Sequence, residues 1–302
     1  MSKCVKQLER AIEAALDPGR FIDYEESWEF GHRIEGVAAE VKALIGKGRA
    51  KDAAALYEIF IAGSYEKAEE IDDSSGNFGM FVADLFCDWV VARQAARAKP
   101  EQTVEVLLAW MEDDDYGFCL DLERDLLKVL NKGGLRALAI QLRRRLDASA
   151  PDDRGSAGYP RRRWTSALKC IVAAQGDTAA YVALAEETAI DSRDCDTVAG
   201  IHEDRGEYEQ ALIWVERGLA LAANEQYRSA EHDLNKRQRT LLLQLGRADE
   251  AIAMAWTDFE QSPSKYAYET LIELVPEAER AAWHDKAMAV AADADGNLLW
   301  VI

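Results

Sequence analysis

Proline is scarce in this sequence, and long apolar runs are absent. Six of the 302 residues are proline, while 49% are hydrophobic and 30% are charged. This composition is typical of a helical globular protein and excludes wholesale disorder. No stretch of about 18 apolar residues could cross a membrane, and the first residues, MSKCVKQLER, contain no uninterrupted apolar segment of a secretion signal. We therefore expect a soluble, cytoplasmic protein that does not contact membranes.

The cysteines lack the spacing of disulfide or zinc motifs. They form no CxxC pair and no His/Cys arrangement suited to zinc, and an odd number cannot pair completely within one chain. Cys195 lies between Asp194 and Asp196, whose negative charges disfavour a thiolate, so it is not a candidate nucleophile. Reduced thiols are expected at all five positions: Cys4, Cys87, Cys119, Cys170 and Cys195.

Basic residues are outnumbered by acidic residues in both halves of the chain. The 36 Lys and Arg residues face 55 Asp and Glu residues, giving a net charge of −19. The charge is −8 for residues 1–150 and −11 for residues 151–302. Repulsion disfavours nucleic acid and anionic membranes, so basic proteins or cationic peptides are the easier partners. The alternative is that the acidic surface only keeps the protein soluble.

Catalytic and cofactor motifs are missing. None of the four histidines lies in HExxH, and there is no GxSxG turn, no GxxxxGK[ST] phosphate loop and no GxGxxG fingerprint. The Asp-rich segments Asp72–Asn77 and Asp293–Asn297 lack the ligand ladder of a calcium loop, so helix capping is their expected role. The acidic run Glu112–Tyr116 could bind a cation but is interpreted as a solvated helix end. We predict a non-enzymatic protein without cofactor or metal.

The sequence does contain a repeated phrase, a glycine followed five residues later by alanine. A glycine can end one helix in the left-handed conformation, and a small side chain lets the next helix pack closely. Successive markers lie 30 to 51 residues apart, which indicates a degenerate array of helical hairpins. Full matches are Gly48 with Ala53, Gly134 with Ala139, Gly206 with Ala211 and Gly246 with Ala251; looser versions are Gly176 with Ala180, Lys99 with Val104 and Pro276 with Ala281.

The clearest unit is VAGIHEDRGEYEQALIWVERGLALA at residues 198–222, with Gly206, Tyr208 and Ala211 at the key positions. The next unit adds Gly246, Ala251 and a closing Pro263. Residues 194–263 therefore resemble tetratricopeptide repeats, although the strict 34-residue period of that family is not kept elsewhere. The resemblance implies a right-handed α-α superhelix whose first helices line a concave groove for peptides.

Two further strings resemble a second family. Phe21–Tyr24 and Ile71–Gly76 are similar to parts of an uncharacterised bacterial domain found downstream of SWIM zinc fingers. The zinc-finger cysteines are absent here. This resemblance therefore implies a fold but no metal or nucleic-acid role.

Hydrophobic periodicity predicts an all-α solenoid of about seven hairpins, without strands. A segment at 149–160 contains two prolines, two glycines and two serines, which indicate a hinge or loop. It would separate an N-terminal half (1–148) from a C-terminal half (161–302), although one continuous superhelix is equally compatible. The predicted helices are 3–16, 33–46, 51–71, 78–98, 102–113, 117–131, 135–147, 161–175, 178–188, 195–205, 208–223, 226–245, 248–260, 264–274 and 277–291.

One basic stripe is the predicted partner-binding site. Arg228, His232, Asn235 and Arg239 stand at intervals of four, three and four on one helix, with Lys236 beside them. In tetratricopeptide-like arrays, such residues on a first helix hold the terminal carboxylate of a peptide. The alternative is a solvated face neutralised by the nearby Glu231 and Asp233. The leading function is a scaffold that binds a protein or peptide partner in a concave groove; the partner and the oligomeric state stay open.

Arginines on either side of the predicted hinge suggest an alternative function. Triplets occupy 143–145 and 161–163, and arginine beside an aromatic ring can bind phosphate or carboxylate. The alternative is thus a regulatory sensor that binds a small anionic ligand or nucleic acid in a deep pocket. The triplets could instead complement helix dipoles and acidic neighbours. The candidate anion site consists of Arg144, Arg162, Arg163 and Trp164.

Overall fold

A computed structural model of the chain describes residues 3–17, 19–149, 159–225 and 230–293. These residues form fifteen α-helices, and the one extended pairing among them is an isolated parallel β-bridge between Ile22 and Ile71. The predicted all-α fold of helical hairpins is confirmed. Residues 150–158, most of the predicted hinge, lie outside the described residues, so the hinge stays a prediction.

The chain divides into two compact units, Met1–Ala174 and Gln175–Ile302. The first unit contains α1 (Lys3–Leu16), α2 (Tyr24–Gly46), α3 (Ala50–Lys67), α4 (Asn77–Ala95), α5 (Pro100–Glu112), α6 (Leu122–Val129), α7 (Lys132–Ala148) and α8 (Tyr159–Ala174). The second unit contains α9 (Thr178–Glu186), α10 (Ser192–Asp204), α11 (Tyr208–Ala222), α12 (Glu231–Gln244), α13 (Ala248–Gln261), α14 (Lys265–Leu274) and α15 (Arg280–Asp293).

The glycine markers end helices as predicted at four positions. Their φ angles lie between 71° and 73°, in the left-handed region, at Gly48, Gly176, Gly206 and Gly246. At the clearest of them, the Gly206 amide donates to the Glu203 carbonyl at 2.9 Å and the Glu207 amide donates to the His202 carbonyl at 2.9 Å. These bonds satisfy carbonyls that the end of α10 leaves without a partner.

The prediction was wrong for Gly134, which lies in the first turn of α7 and does not end a helix. Its amide donates to the Asn131 side chain at 2.9 Å, so Asn131 caps the helix. A Cβ atom added to Gly134 would lie 2.6 Å from Cδ2 of Leu130. The small residue therefore allows the preceding leucine to fold back over the first turn.

Helix α2 begins nine residues before its predicted start at residue 33. The reason is Asp23, whose Oδ1 accepts a hydrogen bond from the Glu26 amide at 3.0 Å and so caps the helix. Just before this cap, the Ile22 amide donates to the Glu70 carbonyl and the Asp72 amide donates to the Ile22 carbonyl, both at 2.8 Å. The strings Phe21–Tyr24 and Ile71–Gly76 therefore lie side by side.

The core of each unit is made by residues that recur at helical spacing. In the first unit, the largest fully buried side chains lie on α3 and α4: Tyr57, Phe60, Phe86 and Trp89. In the second unit, Ala211 and Val215 of α11 pack with Leu234 and Leu241 of α12. A further cluster on α13 to α15 contains Ile252, Trp256, Phe259, Leu271 and Ala287.

Candidate binding site

The predicted basic stripe on α12 is only partly available for binding. Arg239 is 7% exposed, and its Nη1 lies 2.8 Å from Oδ2 of Asp258 on α13. His232 is exposed and packs near the ring of Tyr266, with 5.7 Å between centroids. Asn235 is half-buried and Lys236 is exposed. Arg228 lies outside the described residues, so the stripe as a whole stays a prediction.

The arginines of the predicted anion site do not share one environment. Arg144 and Arg162 are exposed, whereas Trp164 is 4% exposed and belongs to the core. Arg163 is largely buried: its Nη1 donates to the Met111 carbonyl, its Nη2 lies 3.7 Å from Asp114, and its guanidinium lies over the Trp164 ring. Arg163 thus stabilises the first unit internally.

The acidic run Glu112–Tyr116 is not simply a solvated helix end, because Asp114 is buried. Its carboxylate accepts a hydrogen bond from the Tyr65 hydroxyl at 2.8 Å and from the amides of Phe118 and Cys119 at 3.0 and 2.8 Å. With Arg163 nearby, these donors satisfy the buried charge. Burial is the main cause that raises the pKa of the Cys119 thiol, to about 12.

A groove between α2 and α4 in the first unit was not predicted. We call it the α2–α4 groove; it has a volume of about 290 Å³. Its floor consists of buried apolar side chains: Phe30, Ile34, Ile71, Phe78 and Phe81. Its rim carries Trp28 and Met80, which are 66% and 62% exposed. Exposed apolar side chains that adjoin an apolar cleft form the kind of contiguous patch that marks interaction sites.

The described lining of the α2–α4 groove is acidic and contains no lysine or arginine. Asp73 caps α4, since its two oxygens accept from the Phe78 and Gly79 amides at 2.8 Å each. Glu35 lies 3.2 Å from Nδ1 of His32. The third carboxylate, Asp84, accepts no hydrogen bond from any residue that the structure describes.

Charges around Asp84 reinforce its negative environment. Asp84 is exposed, but the partial burial of its carboxylate, followed by the charges of Asp88 and Asp125 and more weakly Glu35, raises its pKa, and Lys42 acts in the opposite direction. Lys42 is itself paired with Asp88, with 2.7 Å between Nζ and Oδ1. The α2–α4 groove therefore combines an exposed apolar rim, Trp28 and Met80, with an excess of negative charge.

Comparison with known proteins identifies a family for the whole described chain. The model of a family of unknown function (DUF6880) matches residues 3–297. The chain belongs to this family. The DUF6880 match spans both compact units, and its description assigns no activity. A search of curated proteins finds no significant match.

The groove of this DUF6880 chain escaped sequence prediction because the first turns of α2 were assigned to a loop. The segment Asp23-Tyr-Glu-Glu26 has an acidic N-cap followed three residues later by glutamate, which is a helix-start signal. Extending the helix to Tyr24 would have placed Trp28, Gly31 and Glu35 on one face. The partnership between α2 and α4 depends on tertiary packing, which no local pattern encodes.

The described cysteines of this DUF6880 chain are buried or half-buried. All four cysteines with described side chains are free, and burial raises the pKa of each thiol. For Cys195, burial is the largest cause, and of the two flanking aspartates Asp194 also raises the pKa of the thiol. Among the described residues, no three His, Cys, Asp or Glu side chains are grouped to hold a metal ion. Within the same residues, no helix is both long and apolar enough to span a membrane.

Proposed function

We propose that this protein is a non-enzymatic interaction scaffold that binds a segment of a partner protein in the α2–α4 groove. The observation that carries the proposal is the exposure of Trp28 and Met80 at the rim, next to the buried apolar floor of the groove. Tyr24, one helical turn before Trp28, is exposed as well. Aromatic and methionine side chains are enriched at the centres of protein interfaces, where they anchor binding.

The size of the α2–α4 groove supports a peptide over a metabolite. Its volume of about 290 Å³ lies just below the range of roughly 300 to 1,000 Å³ that is usual for small-molecule sites. It is open along two helices, so one or two side chains of a partner can enter while the rest of the segment lies across the rim. The alternative sensor function gains no support, because Arg163 and Trp164 are engaged in the core.

We also propose that the hairpins of the second unit are of tetratricopeptide type and that the protein works in the cytoplasm. The first idea is supported by the left-handed Gly206 and Gly246 and by the full burial of Ala211 and Ala251 at the hairpin contacts. The second is supported by the free thiols at Cys87, Cys119, Cys170 and Cys195. Neither idea is needed for the α2–α4 groove.

Comparative affinity capture tests the proposed function. The full-length protein and the double variant Trp28→Ala/Met80→Ala would be used as baits in host lysate, with mass spectrometry as readout. Leu120→Ala is the matched control, since Leu120 is 73% exposed and does not line the groove. We expect one stoichiometric partner that the wild type and Leu120→Ala retain and the double variant loses.

Two other outcomes contradict the groove as the binding site. Equal capture by all three baits shows that the groove is not used. Loss of the partner from His232→Ala/Lys236→Ala, with retention by the groove variant, moves the site to the basic stripe on α12.

A further inference from the structure

We infer that the segment held in the α2–α4 groove is basic, with a lysine or arginine side chain seated against Asp84 and apolar neighbours on Trp28 and Met80. This inference rests on the proposed function and adds the chemistry of the partner. It follows from three features of the groove: a carboxylate without a hydrogen-bond donor, an exposed apolar rim, and the absence of lysine and arginine from the described lining.

The first step concerns which carboxylate can receive a ligand. Asp73 already accepts two backbone hydrogen bonds at the start of α4, and Glu35 contacts His32. Asp84 faces the groove without a hydrogen-bond donor from the described residues. Lys42, whose charge acts on Asp84, is bound to Asp88 at 2.7 Å. A cation that enters the groove therefore meets one carboxylate, Asp84, that accepts no hydrogen bond from the described residues.

The second step concerns the apolar part of the occupant. Lysine and arginine carry aliphatic stems below their charged ends, and these stems pack on apolar surface while the charge reaches a polar partner. Trp28 offers an exposed indole, and a cation over an aromatic ring is attracted by the ring electrons. The indole of Trp28 and the carboxylate of Asp84 can therefore bind a long basic side chain better than they can bind a compact metal ion.

The third step excludes other occupants by charge. An acidic segment would meet Glu35, Asp73 and Asp84 inside a protein of net charge −19. A neutral apolar segment would cover Asp84 and remove its water without supplying a donor, which is unfavourable. A basic segment gains from both the local and the overall charge.

Peptide selection followed by affinity measurement tests this inference. Random linear peptides displayed on phage would be selected on the full-length protein, and the best sequence would be synthesised with a fluorescent label. We expect selected sequences to share a lysine or arginine next to a large apolar residue. Replacing that residue by its neutral analogue, norleucine for lysine or citrulline for arginine, is expected to weaken binding, measured by fluorescence anisotropy.

Matched variants of the protein locate the binding site. Neither Gly31 nor Gly36, both on α2, has another atom within 4 Å of a Cβ built on it, but only Gly31 lines the groove. Gly31→Leu should therefore block binding, and Gly36→Leu should leave it unchanged. Asp84→Asn should weaken binding by about fivefold, as expected for a partly exposed charge pair. Glu40→Gln, which removes the same charge elsewhere on α2, should not.

The salt dependence of binding is a further test. The affinity for a basic peptide should decrease as the NaCl concentration rises from about 0.05 to 0.5 M. The inference is overturned if the selected peptides are neutral or acidic, or if the neutral analogue binds equally well. The proposed function survives that result if Gly31→Leu still blocks binding of the selected peptides. Unchanged binding to Gly31→Leu overturns both. A selection that enriches no sequence overturns the inference, and the capture experiment then decides the proposed function alone.

Discussion

Asp113, Asp114 and Asp115 are adjacent and identical in type, yet their surroundings give them different roles. The side chain of Asp114 is 2% exposed and is contacted by Tyr65, two backbone amides and Arg163. Asp113 and Asp115 are exposed. Charge runs of this kind usually mark a solvated surface, so the sequence did not distinguish the buried member from its neighbours. Only the fold, by bringing α3 and α8 to the end of α5, makes the difference.

Removing the Asp114 carboxylate should therefore destabilise the protein strongly. Asp114→Ala leaves a largely buried guanidinium and three hydrogen-bond donors without their acceptor, so we expect a loss of about 3 kcal/mol in the free energy of unfolding. Urea denaturation followed by circular dichroism measures the change. Asp115→Ala is the control and should alter stability by less than about 0.5 kcal/mol. Equal effects of the two substitutions would show that the buried network does not matter.

At the scale of elements, glycines inside helices serve different purposes. Gly218 of α11 lies where three helices meet: a Cβ atom there would be 3.0 Å from Cβ of Cys195 on α10 and 3.0 Å from Cδ1 of Leu234 on α12. In α10, a Cβ at Gly200 would meet only the flexible end of Arg237, at 3.6 Å. The repeat unit at residues 198–222 thus includes one glycine, Gly218, that sets how closely the three helices pack.

Alanine substitutions separate these two kinds of glycine. Gly218→Ala overpacks the contact of three helices, so we expect the second unit to lose about 1 to 3 kcal/mol of stability. Gly200→Ala has room and gains helix propensity, so a gain of about 0.5 to 1 kcal/mol is expected. Thermal unfolding of the two variants measures both changes. A stabilising Gly218→Ala would mean that α10 and α12 can move apart at little cost.

The sequence predicted the number of helices well because each one carries its own apolar periodicity. The first turns of α2 and the first turn of α7 were misassigned where a capping side chain, Asp23 or Asn131, decides the start. The binding site was harder to predict. Its parts, Trp28 on α2 and Met80 and Asp84 on α4, are far apart in sequence and become one groove only when the two helices pack. The predicted basic stripe was visible in the sequence because its described members, His232, Asn235, Lys236 and Arg239, all lie on α12.

At the scale of the whole molecule, the chain consists of two compact units, and the α2–α4 groove belongs entirely to the first. That unit contains eight helices and its own buried aromatic core on α3 and α4. Its size lies within the range of domains that fold independently. The negative charge, by contrast, is distributed along the whole sequence.

A fragment that ends after α8 should therefore fold and bind on its own. We expect residues 1–176 to show a cooperative thermal transition by circular dichroism and to bind the selected peptide with an affinity within about twofold of the full chain, since the groove is complete. Gly31→Leu in the fragment is the control for specific binding. A fragment without a cooperative transition would show that the first unit depends on the second.

The pairing of Ile22 with Ile71 makes the chain between them a tethered loop, with α2 and α3 inside it. One groove wall, α2, begins just inside the tether, and the other, α4, begins just beyond it. Two backbone hydrogen bonds, from the Ile22 amide to the Glu70 carbonyl and from the Asp72 amide to the Ile22 carbonyl, thus hold the first turns of α2 and α4 near each other. The turn at Lys47–Arg49 does not line the groove, so a residue inserted there is expected to leave the pairing of Ile22 with Ile71 in place. Loop length and groove chemistry thus belong to different segments of the first unit.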